Sequence, residues 1–365
     1  MNTVNSEYQK ANRLSFISGL LLLFFLGSEM AFADLRIDVT QGRADPMPIA
    51  LNDFVGVDDN YNQVGSDISL VIAQNLERSG LFAPINKEAF IKKAVPLDRR
   101  PEFSNWKVLN AQAMVHGQVN IEDDGRLNIQ FRLWDTFAEQ QMVGNSYFTT
   151  PKNWRRVAHI ISDLIYKRIT GEDGYFDTRI VYISESGPLN ARVKRLAIMD
   201  QDGHNHQYLT DGSYLVLTPR FSPTSQEVAY LAYYQDEPKV YVLNLETNKQ
   251  ELLGTFPGMT FAPRFSPDGK SIIMSLADQG LTDIFIMNLI TQNVSQLTNS
   301  PSFDTSPTFS PDGQNIVFNS DRGGSQQLYI MNLDGSNQRR ISFKKGRYAT
   351  PVWSPRGDLI AFTKM

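Results

Sequence analysis

The chain holds 365 residues, enough for two domains, because single hydrophobic cores stop growing at about 250 to 300 residues. Its 41% apolar and 20% charged residues are ordinary for a globular protein, and a net charge of −4 excludes the basic footprint of a nucleic-acid binder. The absence of cysteine excludes disulfides, thiolate zinc sites and cysteine nucleophiles.

In chain order, the first element reads as an export signal. Lys10 and Arg13 precede an apolar run over residues 14–26, and Ala31 and Ala33 supply the small-residue pattern of a cleavage site. A spanning helix needs about 20 apolar residues, more than this run offers. Residues 1–33 are therefore read as a signal peptide cut after Ala33, with a mature, exported chain from Asp34 onward. A cysteine-free chain suits an oxidising periplasm.

Residues 34–174 mix helix and strand signals and are read as one α+β domain. "LRIDVTQG" and "PMPIALNDF" read as short strands around a turn-rich "RADP". In "SDISLVIAQNLERSG", Ile68, Ile72 and Leu76 recur every fourth residue, Ser66 and Asp67 are candidate N-caps, and Gly80 ends the helix. "AQAMVHGQVNI" and "GRLNIQFRLWDT" read as strands. In the second, Leu127, Ile129, Phe131 and Leu133 alternate with polar residues, the period of a sheet with one buried face. "NWRRVAHIISDLIYKRITG" carries a helical stripe of Val157, Ile160, Ile161, Leu164 and Ile165 and stops at Gly171.

Beyond Gly174 the helix signals vanish and an internal repeat takes over. Pro219, Pro263, Pro307 and Pro351 are spaced by 44, as are Phe221, Phe265, Phe309 and Trp353, each followed by Ser-Pro. Three further columns keep that interval: Val228, Ile272, Ile316 and Ile360; Leu209, Leu253, Leu297 and Ile341; Met199, Leu243, Met287 and Met331. Each repeat decodes into four strands, with a "SPDG" hairpin turn between the first two, which is the pattern of a β-propeller blade. The units run over about 175–218, 219–262, 263–306 and 307–350, with a partial unit at 351–365. The first repeat has only its second, third and fourth strands, so its inner strand is expected from elsewhere.

Catalytic signatures are scarce. There is no G-x-S-x-G, H-E-x-x-H or glycine-rich phosphate loop, so no catalytic, cofactor or metal residue is assigned. His204 and His206 share a "DGHNHQ" turn, which reads as a solvated turn because no third ligand has an address. Asp268 and Asp312 read as hairpin caps, and the aromatic column as packing between blades. Binding is expected instead at the segments just before each first strand, "GTFPGMTFAP", "TNSPSFDTSP" and "SFKKGRYATP", which differ between copies. The alternative reading is the propeller domain of a hydrolase, or a channel-metal enzyme of the lactonase kind.

The opening "DLRIDVTQGRADPMPIAL", the phrases "LERSGLF" and "GYFDTRIVYIS", and the "FSPDG" repeats together resemble the TolB family, the periplasmic propellers of the Tol–Pal system. That resemblance spans residues 34–365 and implies a non-enzymatic, monomeric periplasmic binder without a cofactor, metal or nucleic-acid partner. It implies Pal, TolA and other outer-membrane proteins as partners, and a role in outer-membrane integrity and in constriction at division. By motif position, Met259, Ala262, Asp304, Thr305, Tyr348 and Ala349 fall in the mouth loops where Pal docks in the family. Asp34, Leu35, Arg36, Ile37, Asp38 and Val39 match the TolA-contacting segment, expected to be mobile because it is terminal and weakly hydrophobic. The family has six blades, the first completed by a last strand. Four repeats and the start of a fifth imply a chain about 70 residues short of a closed ring, with exposed edges that favour aggregation.

Overall fold

The computed structural model describes residues 35–37, 45–91, 96–235, 237–254, 259–278 and 280–365. They form two compact units that divide between Asp177 and Thr178. None of the described helices is long and apolar enough to cross a membrane.

The first unit contains, in order, β1 (Met47–Leu51), β2 (Val55–Gly56), α1 (Asp59–Arg78), β3 (Phe82–Pro84), α2 (Ser104–Lys107), β4 (Ala113–Ile121), β5 (Leu127–Asp135), β6 (Gln140–Thr149) and α3 (Trp154–Thr170). Its sheet runs β3-β1-β4-β5-β6, with β2 beside β4. Strand β1 is parallel to both neighbours, and β4, β5 and β6 form an antiparallel meander. Period-two alternation sends Leu127, Ile129, Phe131 and Leu133 into one core with Ile68, Ile72 and Leu76 of α1 and Val157, Ile161 and Ile165 of α3. The opposite face is covered by a smaller cluster in which Phe90 meets Trp106 edge-on at 5.0 Å, alongside Phe103, Met114 and Trp134. A buried polar tie joins the two helices. The amide nitrogen of Asn75 lies 2.9 Å from His159 Nδ1 and donates to Ser162 Oγ at 3.0 Å. His159 is thus a packing residue of the helix pair.

Three expectations need correction here. Helix α1 starts at Asp59 rather than at Ser66, because Asp58 is the stronger cap: its Oδ1 accepts from Tyr61 N at 3.2 Å. Strands β3 and β6 were not expected, since neither has a clean apolar alternation. Leu35–Ile37 does not form a strand. Ile37 is buried and its N–H donates to Ile169 O at 2.9 Å, at the end of α3. The rest of the expected first strand, 38–42, lies outside the described residues.

The second unit is a series of small antiparallel sheets, as the repeat requires. The first has three strands, β7 (Arg179–Ser186), β8 (Val193–Asp200) and β9 (Gln207–Tyr208), and no described strand pairs with the free edge of β7. Three four-stranded sheets follow. They are β10 (Leu215–Phe221), β11 (Glu227–Tyr234), β12 (Glu237–Asn244) and β13 (Gln250–Gly254); β14 (Met259–Phe265), β15 (Ser271–Asp278), β16 (Leu281–Asn288) and β17 (Val294–Gln296); then β18 (Thr305–Phe309), β19 (Asn315–Ser320), β20 (Gln327–Asn332) and β21 (Arg339–Arg340). A final pair, β22 (Tyr348–Trp353) and β23 (Ile360–Lys364), opens a fifth.

No sheet of this size buries both of its own faces, so neighbouring sheets do it for one another. Leu196 of β8 packs with Val216, Val228 and Tyr230 of the second sheet, and Ile273 and Ile284 of the third pack with Phe309, Ile316 and Phe318 of the fourth. The column Val228, Ile272 and Ile316 is fully buried at these junctions. Each inner strand ends in a serine-centred turn. Ser266 Oγ donates to Asp268 Oδ1 at 2.5 Å and accepts from Ser271 N at 3.0 Å, while Gly269 supplies a φ of +70°. Ser310, Asp312 and Gly313 repeat the arrangement, and Asp358 substitutes for the missing turn aspartate in the last copy. The serine hydroxyls hold all three carboxyls below the usual aspartate range, which fits caps rather than catalysts.

One glycine in the first unit allows a sharp test of packing against propensity. Inside α1, a Cβ on Gly65 would sit 2.0 Å from the Phe54 carbonyl oxygen. Helix propensity favours alanine over glycine by about 1 kcal/mol, but a clash against backbone cannot relax by a rotamer change. Gly65→Ala is expected to lower stability by about 1 to 3 kcal/mol, read as an earlier urea midpoint in tryptophan fluorescence. A midpoint at or above the parent's would contradict the close helix–strand approach.

Candidate functional site

The strand register fixes where variable loops gather. Leu215 pairs with Tyr233, Met259 with Ala277, Thr305 with Asn319 and Tyr348 with Lys364. The start of each inner strand therefore lies beside the end of the second strand. The connections entering the inner strands and the turns between second and third strands share one edge of each sheet, the mouth edge.

The expected mouth residues are distributed along it unevenly. Met259, Thr305 and Tyr348 begin β14, β18 and β22, inner strands that pack side by side in that order. Ala349 follows Tyr348 and pairs with Thr363. Ala262 lies further in, within the register shift between Phe261 and Arg264. Thr305 is half-buried, and its Oγ1 accepts from the Asn319 amide at 2.6 Å. Tyr348 is buried, its ring 5.2 Å from that of Phe362, so it supports the edge instead of presenting itself.

Asp304 is fully buried. Its Oδ2 accepts from Arg322 Nη2 at 2.6 Å, and the Arg322 guanidinium lies over the rings of Phe318 and Tyr329 at 5.5 and 5.0 Å. Its backbone N–H donates to Thr282 O at 2.8 Å, while Phe303 N donates to Asp321 Oδ1 at 2.9 Å. The loop before β18 is thereby fastened to the third sheet on one side and to the fourth on the other. Asp304 shapes the mouth but offers it no free carboxylate.

The edge presents apolar side chains beside the exposed cations of Lys344, Lys345 and Arg347. Tyr214, Leu215, Tyr234, Leu281, Phe303 and Phe343 are all exposed there, Phe303 at 49% and Phe343 at 76%. The sequence reading singled out none of them. Their signal was available, because an aromatic inside a connection of Ser, Pro, Gly and Lys has no core to fill. At the second sheet the edge deepens into a cavity of about 420 Å³ walled by Tyr214, Tyr230, Tyr234 and Tyr241, with Asp211 and Ser213 at its rim. Burial pushes the Tyr230 hydroxyl up, assisted by Tyr241, so its proton stays in place and it can act as a donor. Ser213 donates to Asp211 Oδ1 through both N (2.9 Å) and Oγ (2.6 Å), which holds that carboxylate down. Exposed rings around shallow polar pockets are the chemistry of protein recognition.

Of the expected N-terminal contact residues, Leu35, Arg36 and Ile37 are described. Leu35 packs on the helical core, and the Arg36 guanidinium reaches Gly171, where a Cβ would stand 2.6 Å from its Nη2. These three residues lie against the first unit, with the Ile37 N–H donating to Ile169 O at 2.9 Å. Asp34, Asp38 and Val39, like the cleavage residue Ala33, lie outside the described residues. His206 stacks edge-on against Tyr208 at 4.7 Å, as a turn residue should.

Comparison with known proteins assigns both units. The model of the TolB amino-terminal domain matches residues 35–142, and that of the TolB beta propeller domain matches 166–365. The Tol-Pal system protein TolB of Paramagnetospirillum magneticum (strain ATCC 700264 / AMB-1) is 58% identical over 231 residues, 63% of this chain and 52% of that protein. The chain thus spans about half the length of that curated relative. The crystal structure of TolB from Acinetobacter baumannii superposes with a TM-score of 0.77 at 29% identity, over 87% of this chain and 77% of that one.

The buried ion pair at the mouth predicts an asymmetric mutational cost. Removing Arg322 strands a charge with no water to solvate it, so Arg322→Leu should cost about 3 kcal/mol. Adding Asp304→Asn removes that charge and should recover part of the loss. Thermal unfolding of the parent, the single and the double variant gives the comparison. A double variant less stable than Arg322→Leu would show that Asp304 is not the stranded charge.

Proposed function

The chain belongs to the TolB family, and we propose from that premise that it is a periplasmic adaptor of the Tol–Pal system, acting by binding and not by catalysis. The observation that carries this reading is the mouth edge. Its exposed groups include aromatic and aliphatic side chains, while its buried carboxylate is committed to Arg322 and the rim carboxylate of Asp211 to Ser213. Such a surface gains free energy by excluding water from a partner, at about 25 cal/mol per Å² of apolar area covered.

The outer-membrane lipoprotein Pal is the partner assigned to this edge. Met259, Thr305 and Ala349 mark its position along β14, β18 and β22, and the exposed Phe303 stands beside them as the anchor that would enter a pocket on the partner. TolA of the inner membrane is assigned to residues 34–39. Leu35–Ile37 rest against the end of α3 through a single described backbone hydrogen bond and two apolar side chains, a contact that a partner strand can replace. A chain that holds Pal with one unit and TolA with the other links the two membranes, and so serves envelope integrity and constriction at division.

Capture from envelope extracts tests the two assignments separately. Phe303→Asp and Thr305→Arg are expected to reduce Pal capture at least about tenfold, the effect of losing an interface anchor, and to leave TolA capture intact. Deletion of residues 34–41 is expected to do the reverse. Undiminished Pal capture by both mouth variants would remove the assignment to this edge.

A further inference from the structure

The opposite end of the inner strands has another chemistry. Register shifts fall at Leu217/Arg220, Phe261/Arg264, Thr305/Thr308 and Ala349/Val352, one in every inner strand, just before the serine turns. The residue after each proline is Arg220, Arg264, Thr308 and Val352 in turn, so two adjacent sheets carry arginine and the next two do not. Arg220 and Arg264 line one cavity of about 300 Å³ together with Thr308, Trp353 and the proline and phenylalanine rings of the turns.

Every unsatisfied group in that lining is a donor. The Nε atoms of Arg220 and Arg264 and the indole Nε1 of Trp353 are sealed from solvent without an acceptor. Arg220 has one hydrogen bond, from Nη1 to Pro219 O at 2.8 Å, and Arg264 has none among the described residues. No acidic side chain lines the cavity, and neither guanidinium takes part in an ion pair among the described residues. The turn aspartates nearby are engaged by serine hydroxyls. Burial together with the charge of Arg220 pushes Arg264 down to about 10. Two like charges, each partly desolvated and with Pro219 O as their one acceptor among the described residues, are a cost that the chain compensates little.

We propose that this cavity, at the turn end of the inner strands and remote from the mouth edge, binds a small oxyanion of phosphate or carboxylate type between Arg220 and Arg264. The planar fork of a guanidinium matches two oxygens of such a group, and two forks from adjacent strands match one group from two sides. The volume admits a phosphate with its water or a small tricarboxylate. Thr308 does not compete for the ligand, because its hydroxyl already donates to Pro351 O at 2.9 Å.

Calorimetric titration of the whole chain with inorganic phosphate, and separately with citrate, at ionic strength held constant with chloride, tests the proposal. Saturable binding of either anion is expected, and whichever binds tighter assigns the source chemistry. Arg220→Gln and Arg264→Gln should each weaken binding by about 10- to 100-fold, the effect of one charge-assisted contact. In chloride buffer the thermal midpoint of Arg264→Gln should equal or exceed the parent's, because an uncompensated charge is gone. A response to both anions no larger than that to chloride overturns the proposal. So does a parent-like response in the double variant, or a lower midpoint for the single variants with unchanged anion binding, which would make the arginines structural props.

Discussion

A serine hydroxyl at the end of each inner strand is the contact on which the second unit depends. In Ser266, Ser310 and Ser354 it accepts a backbone N–H from five residues further on and donates to a nearby aspartate. That closes the hairpin between first and second strands at a fixed length and so fixes which residues pair across it. The pairing in turn stacks Val228, Ile272 and Ile316 in the junctions between sheets, where each sheet covers the face its neighbour cannot bury. With one end of every repeat held so tightly, the other end is free to differ between copies, and there the exposed aromatics collect.

The two ends of the inner strands therefore have opposite character. At the mouth, apolar side chains stand in water around a loop that the Asp304–Arg322 pair holds in shape. At the turns, two half-buried arginines stand side by side with their Nε atoms sealed from water and without an acceptor. A scaffold with one face suited to a protein and the other to a small charged group is consistent with a component that works between other molecules. Membership in the TolB family gives that character its setting.

Much of this was legible in the sequence, because a repeat compares itself with itself. Five columns at an interval of 44 located the sheets, the serine turns and the mouth edge without reference to any other protein. What was hidden depended on tertiary detail. Asp304 looks like any polar loop residue, and only Arg322, 18 positions on, takes it out of solvent. The start of α1 is hidden because the apolar period begins only at Ile68, while the cap that opens the helix, Asp58, lies a further ten residues back. Leu35–Ile37 reads as mobile because it is terminal and weakly hydrophobic, and its backbone bond to Ile169 and the burial of Ile37 are tertiary contacts that no local pattern shows. Arg220 and Arg264 were read past, since a column that changes from arginine to threonine to valine does not announce itself.

The residue before each repeated proline is strained in a way that bears on how the unit folds. Thr218, Ser306 and Thr350 have φ of +48°, +56° and +50°, a conformation that β-branched residues, and any residue preceding proline, avoid. Each such position costs about 1 to 3 kcal/mol unless its surroundings compel it. The surroundings here include the adjoining inner strands, which pack against one another from blade to blade. Folding of this unit should then advance by pairs of blades, with the first junction as its slow step and each later blade shaped on the one already in place.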